Sequence, residues 1–295
     1  MASRRNVLRT LATGLVLASA PTTAQRMEQL ENWLQQGKNE GKIRHSVARW
    51  CFSDYKLEEL CTAAKRIGIE AIDLLNVEEL PKLQKHGLTC PMVAAIRGGY
   101  GITKGWNKPE HHEGLFKLYA ELLIPKTAEA GMPNVICFSG NREGLSDEQG
   151  LQHCVEGLKK LLPIAEKYKV TLVMELLNSK VDHPDYMCDR SAWGIELCKR
   201  LDSEYFKLLY DIYHMQIMEG DIIRTIKEYH RYFAHYHTAG VPGRNEIDHT
   251  QELNYPAIMR AIVETGYKGF VAHEFLPKNP NKLLSLEQAV KICSV

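Results

Sequence analysis

The sequence predicts an α/β fold, a single (β/α)8 barrel, on three observations. From Ile43 onward, short apolar runs alternate strictly with longer segments of helical period. There are eight of each, and such alternation calls for parallel strands with right-handed crossovers, which close naturally at eight units. The length of 295 residues also suits one barrel, which usually takes about 250. A doubly wound open sheet is the competing arrangement, weakened because no G-x-G-x-x-G follows the first strand.

The first strand is expected at 43–49, followed by a helix at 57–67 that stops at Gly68. The second strand, 69–75, leads to a helix at 78–86 closed by Gly87. The third, 88–95, precedes a glycine-rich stretch, Arg97 to Trp106, suited to fold over a site as a lid. The next helix, 113–130, shows the 3.6-residue period in Leu115, Leu118, Tyr119, Leu122 and Leu123, and stops at Gly131. Strands at 133–139, 170–176, 206–211, 232–238 and 269–275 then alternate with helices at 148–168, 189–201, 217–230 and 256–265, and a last helix at 284–293 closes the order. No internal repeat or interdomain linker interrupts it.

Residues 1–25 read as an address. Ser3-Arg4-Arg5 opens a twin-arginine region, Leu11 to Ala20 is a short apolar run, and cleavage is expected after Ala20 or Ala24. The run is too short for a membrane span, so the chain is expected to be exported, to the periplasm, without spanning a membrane. That route carries folded proteins, which suits one that takes up a metal before export. A polar helical extension over 26–42 then precedes a barrel over 43–295. Lys and Arg exceed Asp and Glu by 37 to 36, so there is no electrostatic footprint for nucleic acid and a small neutral or weakly anionic molecule is the expected partner. A homo-oligomer stays open. The eight cysteines contain no C-x-x-C pair and read as buried apolar groups, with room for one disulfide in an oxidising compartment.

Function collects at the carboxyl ends of barrel strands, and the last four expected strands each end in an ionisable group: Glu175, Asp211, His237 and Glu274. One strand-end carboxylate often only caps a helix or pairs with a lysine; four in a row are hard to explain that way. Three clustered carboxylates repel unless a cation sits among them, and three oxygens with one imidazole suit Mn, Mg, Co or Zn. The lack of cysteine in the set argues against a structural zinc site. His214, three residues past Asp211, Arg244 in the loop after the seventh expected strand, and Asn178 after Glu175 are candidates for holding substrate. Helix capping, a surface arginine and a simple turn are their blander readings. Trp50, Phe52 and Trp106 are either pocket walls or packing, and His183, His249 and His273 carry no expected role.

Glu175-Leu176-Leu177-Asn178, Asp211-Ile212-Tyr213-His214, the segment His235 to Arg244, and Glu274 resemble the signature segments of the xylose-isomerase-like TIM barrel superfamily. The Pro242-Gly243-Arg244 loop with Glu252 to Pro256 is most similar to its hydroxypyruvate isomerase branch. The resemblance implies a divalent metal held by Glu175, Asp211, His237 and Glu274, with both glutamates also moving the proton. It implies an isomerase or epimerase that takes a small-molecule sugar or keto-acid and passes through an enediolate. His237 stands where hydroxypyruvate isomerases tend to carry Gln, as in ketose epimerases, so the substrate stays open. The alternatives are an exported epimerase or lyase for oxidised glycosides, an endonuclease-like phosphodiesterase, and a non-catalytic sugar-binding protein.

Overall fold

A computed structural model describes residues 42–295. The expected signal segment, 1–25, and all but the last residue of the expected 26–42 extension lie outside them. Seven regular strands, β1 (Arg44–Ala48), β2 (Ala71–Asp73), β3 (Asn134–Cys137), β4 (Thr171–Glu175), β5 (Phe206–Asp211), β6 (Phe233–Thr238) and β7 (Phe270–His273), form one parallel sheet in the order β2-β1-β7-β6-β5-β4-β3. Their sequences are rich in Val, Ile, Leu and Phe because both faces of a barrel sheet are covered.

The gap between β2 and β3 is where the expected third strand, 88–95, belongs. It is filled, but not by regular strand. Ile72 N donates to Thr89 O and Ala94 N to Leu75 O, both at 2.9 Å, while Val93 exchanges bonds with Asn134 and Ile136 at 3.0 Å each. Pro91 has no N–H to give, and the Cys90 N–H turns to the Met132 sulfur at 3.2 Å. The TIM barrel therefore closes through isolated bridges at Thr89 and Val93.

Two helices also depart from expectation. The 113–130 segment is two α-helices, His112–Leu118 and Ile124–Glu129, joined through a π turn at Tyr119–Leu123. Pro125 cannot donate to the carbonyl four residues back, which is reason for the ladder to slip there. The expected 217–230 helix is likewise two, Ile212–Met218 and Ile222–Tyr229. Gly220 and Asp221, both at positive φ, separate them. Elsewhere local chemistry and structure agree: Gly68 ends its helix at φ 92°, and Ser146 caps the helix Asp147–Tyr168 by accepting from Gln149 N.

The core runs between sheet and helices, and all eight cysteines lie in it, buried and unpaired. No disulfide takes the room the sequence left for one. A buried polar chain ties β1, β7 and the C-terminal helix together. His45 Nε2 meets Ser294 Oγ at 3.1 Å, His45 Nδ1 meets His273 Nε2 at 3.2 Å, and Thr238 Oγ1 meets His273 Nδ1 at 3.0 Å. Burial lowers His45 from 6.5 to about 4. The folded chain thus keeps this imidazole neutral where the unfolded chain protonates it. The resulting stability is fully present above pH 6.5 and is lost as pH falls toward 4, by about 3 kcal/mol. Thermal melting followed across that window should show the loss, with a shallower slope in His45→Phe.

Candidate active site

Four side chains meet at the carboxyl ends of β4 to β7. Glu175 is the last residue of β4 and Asp211 the last of β5; His237 lies in β6 directly opposite Asp211 in the parallel register. Glu274 follows β7. A register shift between Leu208 and Leu209 leaves Ala234 as an extra residue in β6, and beyond it His235 and His237 both face the barrel interior. One donor atom from each of Glu175, Asp211, His237 and Glu274 lies within 4.8 Å of all the others, and all four residues are buried.

His237 is aimed from both sides. Its Nδ1 stands 2.8 Å from Glu274 Oε2, 3.4 Å from Glu175 Oε1 and 4.0 Å from Asp211 Oδ2. Its Nε2 faces Asp73 Oδ2 at 3.4 Å. Asp73, fully buried at the end of β2, also accepts from Ser46 Oγ and contacts His235 Nε2. Asp73, His235 and His237 form a second potential metal cluster, but the Asp73 oxygens are already engaged. The geometry makes Asp73 a positioning residue: it holds a proton on His237 Nε2 and leaves Nδ1 to face the carboxylates. Asp73→Asn should weaken divalent-cation affinity about 10- to 100-fold, read by calorimetric titration; unchanged affinity would remove that role.

The carboxylates differ in their partners. Burial alone would raise Glu274, but Arg244 and His237 hold it well below the usual range, with Trp50 adding a hydrogen bond. Trp50 Nε1 donates to Glu274 Oε1 and Arg244 Nη2 to Oε2, each at 2.6 Å. Burial pushes Asp211 up to about 7, opposed by Arg244 and reinforced by Glu274 and Glu175. Its Oδ1 accepts from His214 N at 3.1 Å, capping the helix that follows β5. Burial also raises Glu175, whose Oε1 is buried with no hydrogen-bond partner. Burial would lower His237, but Glu274, Asp73 and Glu175 raise it well above its ordinary value. An orphaned carboxylate oxygen among two more carboxylates and an imidazole nitrogen is a donor set that fits a hard or borderline divalent cation.

The substrate-holding candidates divide. Arg244 reaches the site from a loop closed by Gly240 N to Asn245 O at 2.9 Å and Leu276 N to Arg244 O at 2.7 Å. Its guanidinium lies over the Trp50 and Tyr213 rings. His214 is fully buried, 3.7 Å from Asp211 Oδ2, with an unpartnered Nε2; burial and Arg244 keep it well below its ordinary pKa and neutral. Asn178 does not touch Glu175. Its Oδ1 accepts from Val181 N and Asp182 N, and its amide nitrogen meets Asp182 and His214, each at 2.6 Å. Its geometry positions His214 and does not present a free amide to substrate.

A cleft of about 330 Å³ opens onto Glu175 and Glu274 and is walled in part by Trp50 and His183. Phe52 packs on Phe275 and Trp106 on Tyr119, both in the core. The glycine-rich stretch does reach the cleft, through Ile102, and Ile96 just before it also lines it. Its end is docked where a side chain at Gly105 would overlap the Phe138 carbonyl. Sequence reasoning passed over Asp73 and His183. The expected second strand runs on to Leu75, so the strand-end criterion does not reach Asp73, which ends the observed β2; His183 carried no signal.

Comparison with known proteins agrees with this architecture. A family described as xylose isomerase-like TIM barrel matches residues 53–291. A putative hydroxypyruvate isomerase of Danio rerio is 32% identical over 124 residues, covering 42% of this chain and 45% of that protein. A 2-oxo-tetronate isomerase of Cupriavidus necator is 36% identical over 109 residues, covering 37% and 41%. The aligned stretches thus span less than half the length of these two relatives. Among solved structures, a family 2 AP endonuclease from Brucella melitensis superposes with TM-score 0.73 at 22% identity, covering 85% of this chain and 96% of that one. A 3-keto-D-glucoside 4-epimerase from E. coli gives 0.70 at 16%, covering 84% and 97%. The IOLI protein with a bound zinc atom gives 0.66 at 16%, covering 85% and 95%. At these identities the structures show a shared fold.

Proposed function

Because the chain belongs to the xylose isomerase-like TIM barrel family, we propose that it is a cation-dependent isomerase or epimerase of small hydroxy-carbonyl compounds. The observation that carries this reading is the convergence of Glu175, Asp211, His237 and Glu274, one ligand atom of each within 4.8 Å of the others, with Glu175 and Glu274 lining the cleft. Relatives named as isomerases and a fold neighbour holding zinc support it.

These four residues would hold one Mn, Mg, Co or Zn ion, whose chemistry is to stabilise the negative oxygen that develops when a carbon beside a carbonyl loses its proton. The rest falls to the chain. One of Glu175 and Glu274 takes the proton, and the C–H electron pair moves to the carbonyl to give an enediolate. The other glutamate approaches from the opposite side. Return of a proton to the same carbon from that side inverts it; return to the neighbouring carbon exchanges aldehyde and ketone. His214, neutral and fully buried, keeps an unpartnered Nε2 3.7 Å from Asp211 Oδ2.

A phosphodiesterase reading needs several cations along the path of a nucleic acid backbone, and among the described residues Arg244 is the only arginine or lysine lining the cleft. The twin-arginine leader would place the activity outside the cytoplasm. The test is to incubate the cation-loaded protein in deuterated water with small hydroxy-aldehydes and hydroxy-ketones and follow the α-proton by NMR. Exchange that requires the cation supports the reading; no exchange with any compound overturns it.

A further inference from the structure

Interchange of an aldehyde and a ketone takes more than a carbon proton. When a glutamate removes the proton beside a ketone, the C–H pair forms a C=C bond and the carbonyl oxygen becomes an oxyanion. The neighbouring oxygen is still a hydroxyl. Return of a proton to the same carbon collapses this enediolate with no further transfer, whichever face it comes from. The aldehyde forms only when the hydroxyl proton leaves its oxygen, whose electron pair then makes the new C=O bond. The C=C pair takes a proton from the glutamic acid at the former carbonyl carbon, and the oxyanion there takes one as well. A group that both accepts and gives a proton at oxygen is therefore needed beside the two glutamates.

Few side chains in the cleft can do this. Beyond Glu175 and Glu274, its lining holds Arg244, Trp50, His183 and apolar residues. An arginine stays protonated, and an indole N–H donates only. His214 does not line the cleft, and its own partners disqualify it. Asn178 Oδ1 accepts from Val181 N at 3.0 Å and Asp182 N at 2.9 Å, which fixes the amide with its nitrogen toward His214 Nδ1 at 2.6 Å. Nδ1 is thus the acceptor and the ring proton sits on Nε2, so neither nitrogen of His214 has a lone pair free to take a proton.

His183 has what His214 lacks. Its ring packs against that of His214, centroids 5.3 Å apart, and among the described residues neither of its ring nitrogens has a hydrogen-bond partner. Burial, with Arg244 next, holds the imidazole below its ordinary pKa, so at pH 7 it is neutral and keeps one lone pair. Its loop is tied to Glu175. His183 N donates to Asn178 O and Tyr186 N to His183 O, both at 3.1 Å, while Tyr186 Oη donates to Glu175 O at 2.9 Å. One braced segment thus brings the imidazole and a carboxylate to the same cleft.

We infer that His183 is a catalytic residue that carries the proton between the two substrate oxygens, so that the chain interchanges aldehyde and ketone instead of only inverting a carbon. This deepens, and rests on, the proton-abstraction reading. The free nitrogen takes the hydroxyl proton, the imidazolium gives one to the oxyanion, and the ring ends neutral as it began.

The test follows cation-loaded wild type, His183→Gln and His183→Asn by NMR in deuterated water with dihydroxyacetone, fructose and tagatose. Proton exchange at the α-carbon and aldehyde formation are measured in the same tube. Wild type should show both with at least one of the three ketones. In each variant the aldehyde formed per exchange event should fall about 10²-fold, because the glutamates still open and reclose the C–H bond. The position is half-buried and lies in a loop, so both variants should fold, which thermal melting checks. An unchanged ratio in the folded variants overturns the inference, whether both rates fall or neither does. Wild type that exchanges but forms no aldehyde also overturns it, and leaves the proton-abstraction reading standing. No exchange with any of the three sinks that reading and this inference with it.

Discussion

Glu274→Gln should leave about one cation per chain bound and lower turnover by about 10²- to 10⁴-fold, the range for losing a positioned acid–base group. The amide keeps an oxygen that can face a cation and nearly the shape of the carboxylate, but it cannot take up and return a proton. Glu274 is suited to the task because Arg244 and His237 hold it ionised despite its burial. Some loss of cation affinity should accompany the change, since Trp50 Nε1 and Arg244 Nη2 both donate to this carboxylate and one of them would then meet an amide N–H. Bound metal by mass spectrometry and α-proton exchange on the same sample separate the effects. An unaffected rate removes Glu274 from the chemistry. Loss of metal in proportion to rate makes it a ligand only.

Asp211→Ala should abolish cation binding, taking the bound metal from about one ion per chain to none. It deletes one of four donors and also the cap of the helix Ile212–Met218, the latter worth about 1 kcal/mol. Thermal shift distinguishes the two losses. Wild type at a hundredfold excess over Kd gains about 2.7 kcal/mol from the cation, whereas the variant melts lower and gains nothing. In the wild type, burial pushes Asp211 up to about 7, so binding a cation releases its proton. Affinity should fall as pH drops below 7. Full occupancy in Asp211→Ala would overturn the four-donor site.

The convergence of these four side chains was legible because a barrel gathers its strand ends at one mouth. Glu175, Asp211, His237 and Glu274 stand at the ends of neighbouring strands, and parallel pairing carries that regularity into space. Pattern could not show the failure of the third strand, because residues 88–95 are apolar enough to pair and only the missing N–H of Pro91 decides otherwise. Nor could it show the break at Gly220 and Asp221, or that the Asn178 amide is taken up by its own loop and by His214.

The sequence alone determined the barrel, its family and the residue types that meet at its mouth, since strand order and strand-end chemistry are local and repeat along the chain. Only the tertiary structure decided which groups support them. Asp73 reaches His237 across the barrel interior from β2, a separation of 164 residues. Trp50 reaches Glu274 across 224. Leu74, Ile102, Phe138 and Leu177 line one cleft because segments far apart in the chain meet there. Such contacts are set by closure of the sheet, and no local period records them.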